Sequence, residues 1–336
     1  NMNDILTSSI FRYVLPAGWV SLSILSISFI LIQPVDGFIL YLPFILSVLF
    51  LGMPHGAVDH LIPRYLSDTS TRESIALIVA LYAFLGGLYT ILWFIYPFAC
   101  LILFILLTIL HWGQGDNYVY SVLYDQEYIR NKAGLLSGVL LKGSIPMLLP
   151  YLFHTERYAD IVSSIVSLFD SKTMVDQILL SSSSATVVSI FMILIATVYF
   201  VNALNYGVSK LVVVDAFEVL FLTVFFYVAP PVYAIGVYFC FWHSIRHIAR
   251  LLDADDKIDS DSLYQLSKRF VYVSTPMTIG GIALFATVAV VTDASLASYD
   301  QFLSSYLIAI SVMTLPHFVV VSWMDKKQSV YDSVRF

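Results

Sequence analysis

Charge is what this sequence has least of. Asp, Glu, Lys and Arg make up 12% of its 336 residues, against about 25% in a soluble domain, so a water-soluble globular fold is excluded. Cysteine is scarce as well. Cys100 and Cys240 both lie inside apolar runs, which argues against a disulfide framework and suits small buried side chains. No basic patch is present, so nucleic acid is not expected as a partner, and the net charge of −6 adds little because the few charges sit in connections. The first apolar run lacks a convincing small-residue cleavage site and reads as a first span, not a cleaved signal. No lysine lies mid-span, since Lys142 and Lys210 fall near helix ends, so a Schiff-base rhodopsin is excluded. No internal repeat or matched pair of broken helices suggests a transporter.

What is abundant is apolar: hydrophobic residues reach 59% and mean hydropathy is +0.84. Several runs approach the roughly 20 residues that span a bilayer. About ten spans are expected, near 13–32, 37–56, 74–95, 97–113, 134–153, 186–205, 211–228, 231–249, 270–291 and 303–324. Tyr96-Pro97 and Ala229-Pro230-Pro231 read as tight turns between helices. The longer connections are 57–73, 114–133, 154–185 and 250–269, with the serine run Ser181–Ser184 as a solvated loop. The fold class is therefore all-α, a polytopic membrane helix bundle of about ten transmembrane helices with a buried His-lined metal site. Residues 1–336 form one transmembrane domain on this reading.

Lys and Arg fall almost wholly at the termini or beside the even-numbered connections, Arg64, Arg72, Arg130, Lys132, Arg250 and Lys257 among them, while the odd-numbered connections hold only Arg157 and Lys172. The positive-inside rule then places both termini in the cytoplasm of a multi-pass protein of the cell membrane.

Seven histidines are present: His55, His60, His111, His154, His243, His247 and His317. With that topology all but His154 reach the cytoplasmic half of the bilayer, where an ionisable group is costly and commonly functional. His243 and His247 are four apart and face one side of a helix, so both can share an ion. His55 and His60 are five apart, about 140° around an ideal helix, and point at one centre only if Pro54 or Gly56 breaks it. Asp59 is four from His55 and is placed to orient its ring. Neutral imidazoles without thiolates suit iron, copper, zinc or nickel. The plainer alternative is that each lone histidine caps a helix or bonds a carbonyl. His60 and His317 stay open between ligand, support and structure, and His154 reads as an ordinary interfacial residue. Glu218, inside the seventh span, is expected either to support an imidazole or to pair with Arg246.

These motifs, Pro54-His55-Gly56-Ala57-Val58-Asp59-His60, His111-Trp112-Gly113, Phe241-Trp242-His243-Ser244-Ile245-Arg246-His247 and Leu315-Pro316-His317, resemble the Brp/Blh family of membrane-embedded β-carotene 15,15′-dioxygenases. The resemblance runs from about residue 50 to 325 with the motifs in the family's order. It implies cleavage of β-carotene by O2 at the central C15=C15′ bond, yielding two retinal molecules for an opsin. It also implies Fe(2+) as cofactor, with His55, His111, His243 and His247 as catalytic metal ligands and His60 and His317 as possible ones. Residues one turn above these ligands are expected to line a polyene slot open to membrane lipid: Leu107, Thr108, Phe239, Cys240, Met313 and Thr314. Phe104, Trp112, Phe241 and Trp242 are further candidates, with ordinary helix packing as the plainer account.

Three rivals stand beside this reading. A lipid desaturase or hydroxylase would need His-x-x-His-His boxes that are missing. Haem between two facing histidines is disfavoured by the pair His243 and His247. A non-enzymatic carotenoid- or retinal-binding assembly factor for an opsin would hold pigment without releasing aldehyde.

Overall fold

The computed structural model describes residues 9–31, 37–67, 69–123, 126–169, 175–253, 263–328 and 330. Among these the chain is a helical bundle. It begins with α1 (Ser9–Leu31), α2 (Gly37–Leu49), the short α3 (Gly52–Gly56) and α4 (Ile62–Leu66). Then come α5 (Thr71–Ile95), α6 (Pro97–Tyr118), which runs on as a π-helical turn over Val119–Leu123, and α7 (Lys132–Phe153). Next are α8 (Thr155–Ser167), α9 (Val175–Leu179), α10 (Ser182–Asn205) and α11 (Lys210–Val228). A single rod follows, formed by α12 (Pro231–Tyr238), a π-helical stretch Phe239–Ser244 and α13 (Ile245–Asp253). The last two are α14 (Leu263–Val291) and α15 (Tyr299–Lys327).

Among the described residues, nine helices are long and apolar enough to cross a membrane. The tenth expected span, 231–249, is the helical rod through α12 and α13 and is buried along most of its length. It falls short in apolarity because it carries His243, Arg246 and His247.

The connections are more structured than the sequence suggests. Gln114 to Asn117 read as the start of a connection, yet α6 continues through them to Tyr118. The segment after α7 holds α8, whose Tyr158, Ala159, Val162, Ile165 and Val166 are buried along one stripe, as expected of an amphipathic helix on a core. The serine run is not a loop. Ser181 caps α10 by accepting from the Ser184 amide, and Ser182–Ser184 form its first turn, the usual use of a hydroxyl at a helix start.

The tightest packing is between α6 and α7. A Cβ at Gly113 would lie 1.9 Å from the Val139 carbonyl oxygen, and one at Gly143 would lie 1.8 Å from that of Ile109. Backbone meets backbone there, as small residues permit in membrane helix pairs. Beside this contact lie the buried charges, each paired. Lys142, expected near a helix end, instead lies buried at the middle of α7. There it is 3.1 Å from Asp215, which also accepts from Tyr128 (2.8 Å) and Tyr199. Arg246 reaches Asp116 at 2.8 Å and Glu218 at 3.1 Å, and Arg250 reaches Asp325 at 2.6 Å. On the other side of α6 the helices stand apart around a cavity of about 550 Å³.

Candidate metal centre

The chain breaks after Pro54-His55-Gly56. Ala57 and Val58 form a turn, Asp59–Leu61 a single 3₁₀ turn, and α4 then begins. His55 Nδ1 is held by the Gly52 carbonyl and lies 3.4 Å from Ser244 Oγ. His60 turns back on its own chain, with Nδ1 2.8 Å from the Ala57 carbonyl oxygen. It lines the cavity but is not among the clustered rings.

Five imidazoles do cluster, from α3, α6, the rod and α15. The ring centre of His317 is 5.0 Å from His55, 4.6 Å from His111 and 5.0 Å from His247. His243 is 5.3 Å from His55 and 4.7 Å from His111. His243 and His247 lie nearly parallel, with centres 6.2 Å apart, as side chains four apart on one face should. His317 Nε2 faces His111 Nε2 at 3.1 Å. His154 lies elsewhere, with Nε2 3.2 Å from the Phe226 carbonyl oxygen.

Asp59 supports an imidazole, but a different one from that suggested by its spacing. Because the helix stops at Gly56, Asp59 is carried away from His55, and its Oδ2 sits 2.8 Å from His317 Nδ1 while accepting from Tyr82 Oη at 2.6 Å. A carboxylate on the outer nitrogen aims the inner one at the centre, the usual arrangement behind a metal-bound histidine. Glu218 has no imidazole among its hydrogen-bond partners. It accepts from Trp19 Nε1 and Tyr120 Oη, both at 2.8 Å, and pairs with Arg246. Arg246 is also clamped by Asp116, which accepts from Trp242 Nε1 at 3.2 Å and from Tyr238 Oη at 3.1 Å. This clamp fixes the rod one residue before His247 and three after His243. Sequence reasoning missed Asp116 because it placed the residue in the 114–133 connection, outside any span.

The cavity adjoins the centre, with His55, His60, His111 and His317 in its wall. Of the residues expected to line it, Phe104, Thr108, Trp112, Phe239, Met313 and Thr314 do. Leu107, Cys240, Phe241 and Trp242 do not. In the π-helical stretch the turn is wider than an α turn, so Phe239 faces the cavity, while Cys240 points to the Pro43 carbonyl and Trp242 to Asp116. Its size is within the roughly 300–1,000 Å³ common for small-molecule sites.

The cluster suits a metal ion on three grounds. His111 Nδ1, His243 Nε2 and His247 Nε2 are buried without a hydrogen-bond partner, which is costly for a polar atom unless something else binds it. One nitrogen each from His55, His111 and His317 lies within 4.8 Å of the others, close to the limit of about 4.2 Å set by two bonds of about 2.1 Å to one ion. Finally, the buried charges among the described residues are Lys142, Arg246 and Arg250 against Asp59, Asp116, Asp215, Glu218 and Asp325. Three cations against five carboxylates leave an excess of two negative charges, the complement of a divalent cation. The donors are all nitrogen or carboxylate, which leaves iron, copper, zinc and nickel in play.

The sequence profile of a family described as Beta-carotene 15,15'-dioxygenase matches residues 46–325. A protein of Halobacterium salinarum named probable beta-carotene 15,15'-dioxygenase Blh is 35% identical over 95% of this chain and 94% of its own length. A second from that organism, probable beta-carotene 15,15'-dioxygenase Brp, is 23% identical over 86% of this chain and 84% of its own. A beta-carotene 15,15'-dioxygenase from uncultured marine bacterium 66A03 is 22% identical over 84% of this chain and 93% of its own. No solved structure matches.

Proposed function

Because the chain belongs to the beta-carotene 15,15'-dioxygenase family, we propose that it cleaves β-carotene with O2 at the central double bond, releasing two retinal molecules, and that its imidazole cluster holds Fe(2+). The observation that carries this reading is the meeting of five buried histidines beside an apolar cavity, with His55, His111 and His317 in its wall. His55, His111, His243 and His247 are the proposed ligands, with His317 within the same reach and His60 outside it. Bound there, iron supplies the one-electron chemistry that O2 needs to react with a closed-shell polyene.

The remaining work falls to the chain itself. Asp59 fixes the His317 ring, and Tyr82 fixes Asp59. Thr90, Thr108 and Thr314 line the cavity, but each donates at 2.8 Å to a carbonyl of its own helix. Those hydroxyls ask nothing of a guest, which favours a hydrocarbon. The apolar walls keep water from the reacting bond, and the cavity holds it beside the imidazoles in its wall. We place the enzyme in the cell membrane with both termini cytoplasmic, on the distribution of Lys and Arg, and its product is chemically suited to an opsin.

Purified protein loaded with Fe(2+) and given β-carotene under air is expected to yield retinal alone by chromatography. Apocarotenals of unequal length would overturn central cleavage, and bound pigment without aldehyde would favour an assembly factor. His243→Ala and His247→Ala are each expected to lose metal and activity together, while His154→Ala keeps both; normal iron content in either of the first two would remove that ligand from the set.

A further inference from the structure

The cavity is not closed on every side. α5 and α14 each pack along α15, and both contribute to the cavity wall between them. Val79, Ala83 and Gly87, four apart on one stripe of α5, line the cavity and are exposed, as is Gly280 on α14. Each helix carries a glycine pair at this height, and the two members of each pair do different things. A Cβ at Gly86 would lie 3.3 Å from Val312 Cγ1, and one at Gly281 would lie 2.7 Å from Met53 Sδ. These inner glycines let the two helices seat closely on the bundle. Their neighbours Gly87 and Gly280 face open space, with nothing within 4 Å of an added Cβ. Deeper in the same cavity stands His111, 3% exposed, with Nδ1 unpartnered.

We propose that the gap between α5 and α14 is a lateral port through which an extended hydrocarbon polyene slides from the bilayer core to the imidazoles, with Gly87 and Gly280 as its two lips. The port rests on the substrate class given under the proposed function. A molecule dissolved among lipid tails never needs to cross a headgroup layer to reach such an opening, and an opening in mid-helix exposes no unpaired backbone group, because the helical hydrogen bonds are kept. Glycine is required at the lips for width alone. A Cβ added at either position meets nothing within 4 Å, so a side chain can be introduced there to narrow the gap while the fold is kept.

The test uses β-carotene and metal-depleted protein in phosphatidylcholine nanodiscs, so that entry is read without cleavage. Free β-carotene is achiral and shows visible circular dichroism only when a chiral cavity holds it. The double variant Gly87→Leu with Gly280→Leu is expected to acquire that signal at least about 10-fold more slowly than the unsubstituted protein, and each single variant about 3-fold more slowly, as for a narrowed access step. Thermal unfolding should show no loss of stability, since leucine favours a helix interior over glycine. Leu88→Phe, on the exposed face of α5 beside the port (Leu88 is 47% exposed), should take up pigment at the unsubstituted rate. Uptake by folded double and single variants at that rate overturns the port, as does absence of any signal in the unsubstituted protein. A signal that forms as described but is not followed by aldehyde after iron loading leaves the port standing and removes the dioxygenase reading.

Discussion

The two sides of α6 treat glycine and buried polarity in opposite ways. Toward α7, Gly113 and Gly143 stand where any Cβ would run into a backbone oxygen, and the nearby Lys142, Asp215, Arg246, Asp116 and Glu218 are all paired. Toward the cavity, Gly87 and Gly280 border empty space, and His111 Nδ1 is left without a partner. The contrast separates two tasks. The packed side holds α6 and the rod in one register, and so delivers His111, His243 and His247 to a point. The open side keeps room and free donors for something that is not protein. Rigid placement on one flank and vacancy on the other is what a preorganised site in a membrane requires.

Substitutions on the packed side should therefore cost stability first and metal second. Arg246→Met leaves Asp116 and Glu218 buried without their cation and is expected to cost about 3–5 kcal/mol in thermal or denaturant unfolding. Survival of that variant at the unsubstituted midpoint would mean that the network is not what fixes the rod. Gly143→Ala forces α6 from α7 and is expected to cost about 1–3 kcal/mol in the same assay, because a backbone oxygen cannot rotate away as a side chain can. On the other flank the order should reverse. Asp59→Asn is expected to weaken iron binding about 10–100-fold in equilibrium dialysis, with a change of only about 1 kcal/mol in unfolding. Equal losses of stability for Asp59→Asn and Arg246→Met would erase the distinction between the flanks.

Much of this was readable in the amino-acid order because hydropathy and helical spacing are local. Apolar runs marked the spans, and a spacing of four put His243 and His247 on one face. The parts that were not readable depend on where a helix stops or what lies opposite. His60 and His317 looked equally open as ligands. The break at Gly56 sends His60 to the Ala57 carbonyl and Asp59 to His317, and no periodicity foretells that exchange. Asp116 lay in an expected connection, and its partner Arg246 comes from another helix. The glycines of α6 and α7 carried no sign of their purpose, since a close approach is a property of two helices.

The π-helical stretch Phe239–Ser244 has a consequence for how this chain tolerates change. Its wide turn is a miscount relative to the α period, and every residue after it inherits the offset. Removing a single residue there would restore the ordinary α count and leave the residues after it facing as they do, whereas a residue added or removed in the α turns beside the stretch would swing α13 by about 100°. His247 would leave the imidazole cluster in the same movement that takes Arg246 off Asp116. The number of residues is therefore freer to change within this stretch than in the α turns that flank it.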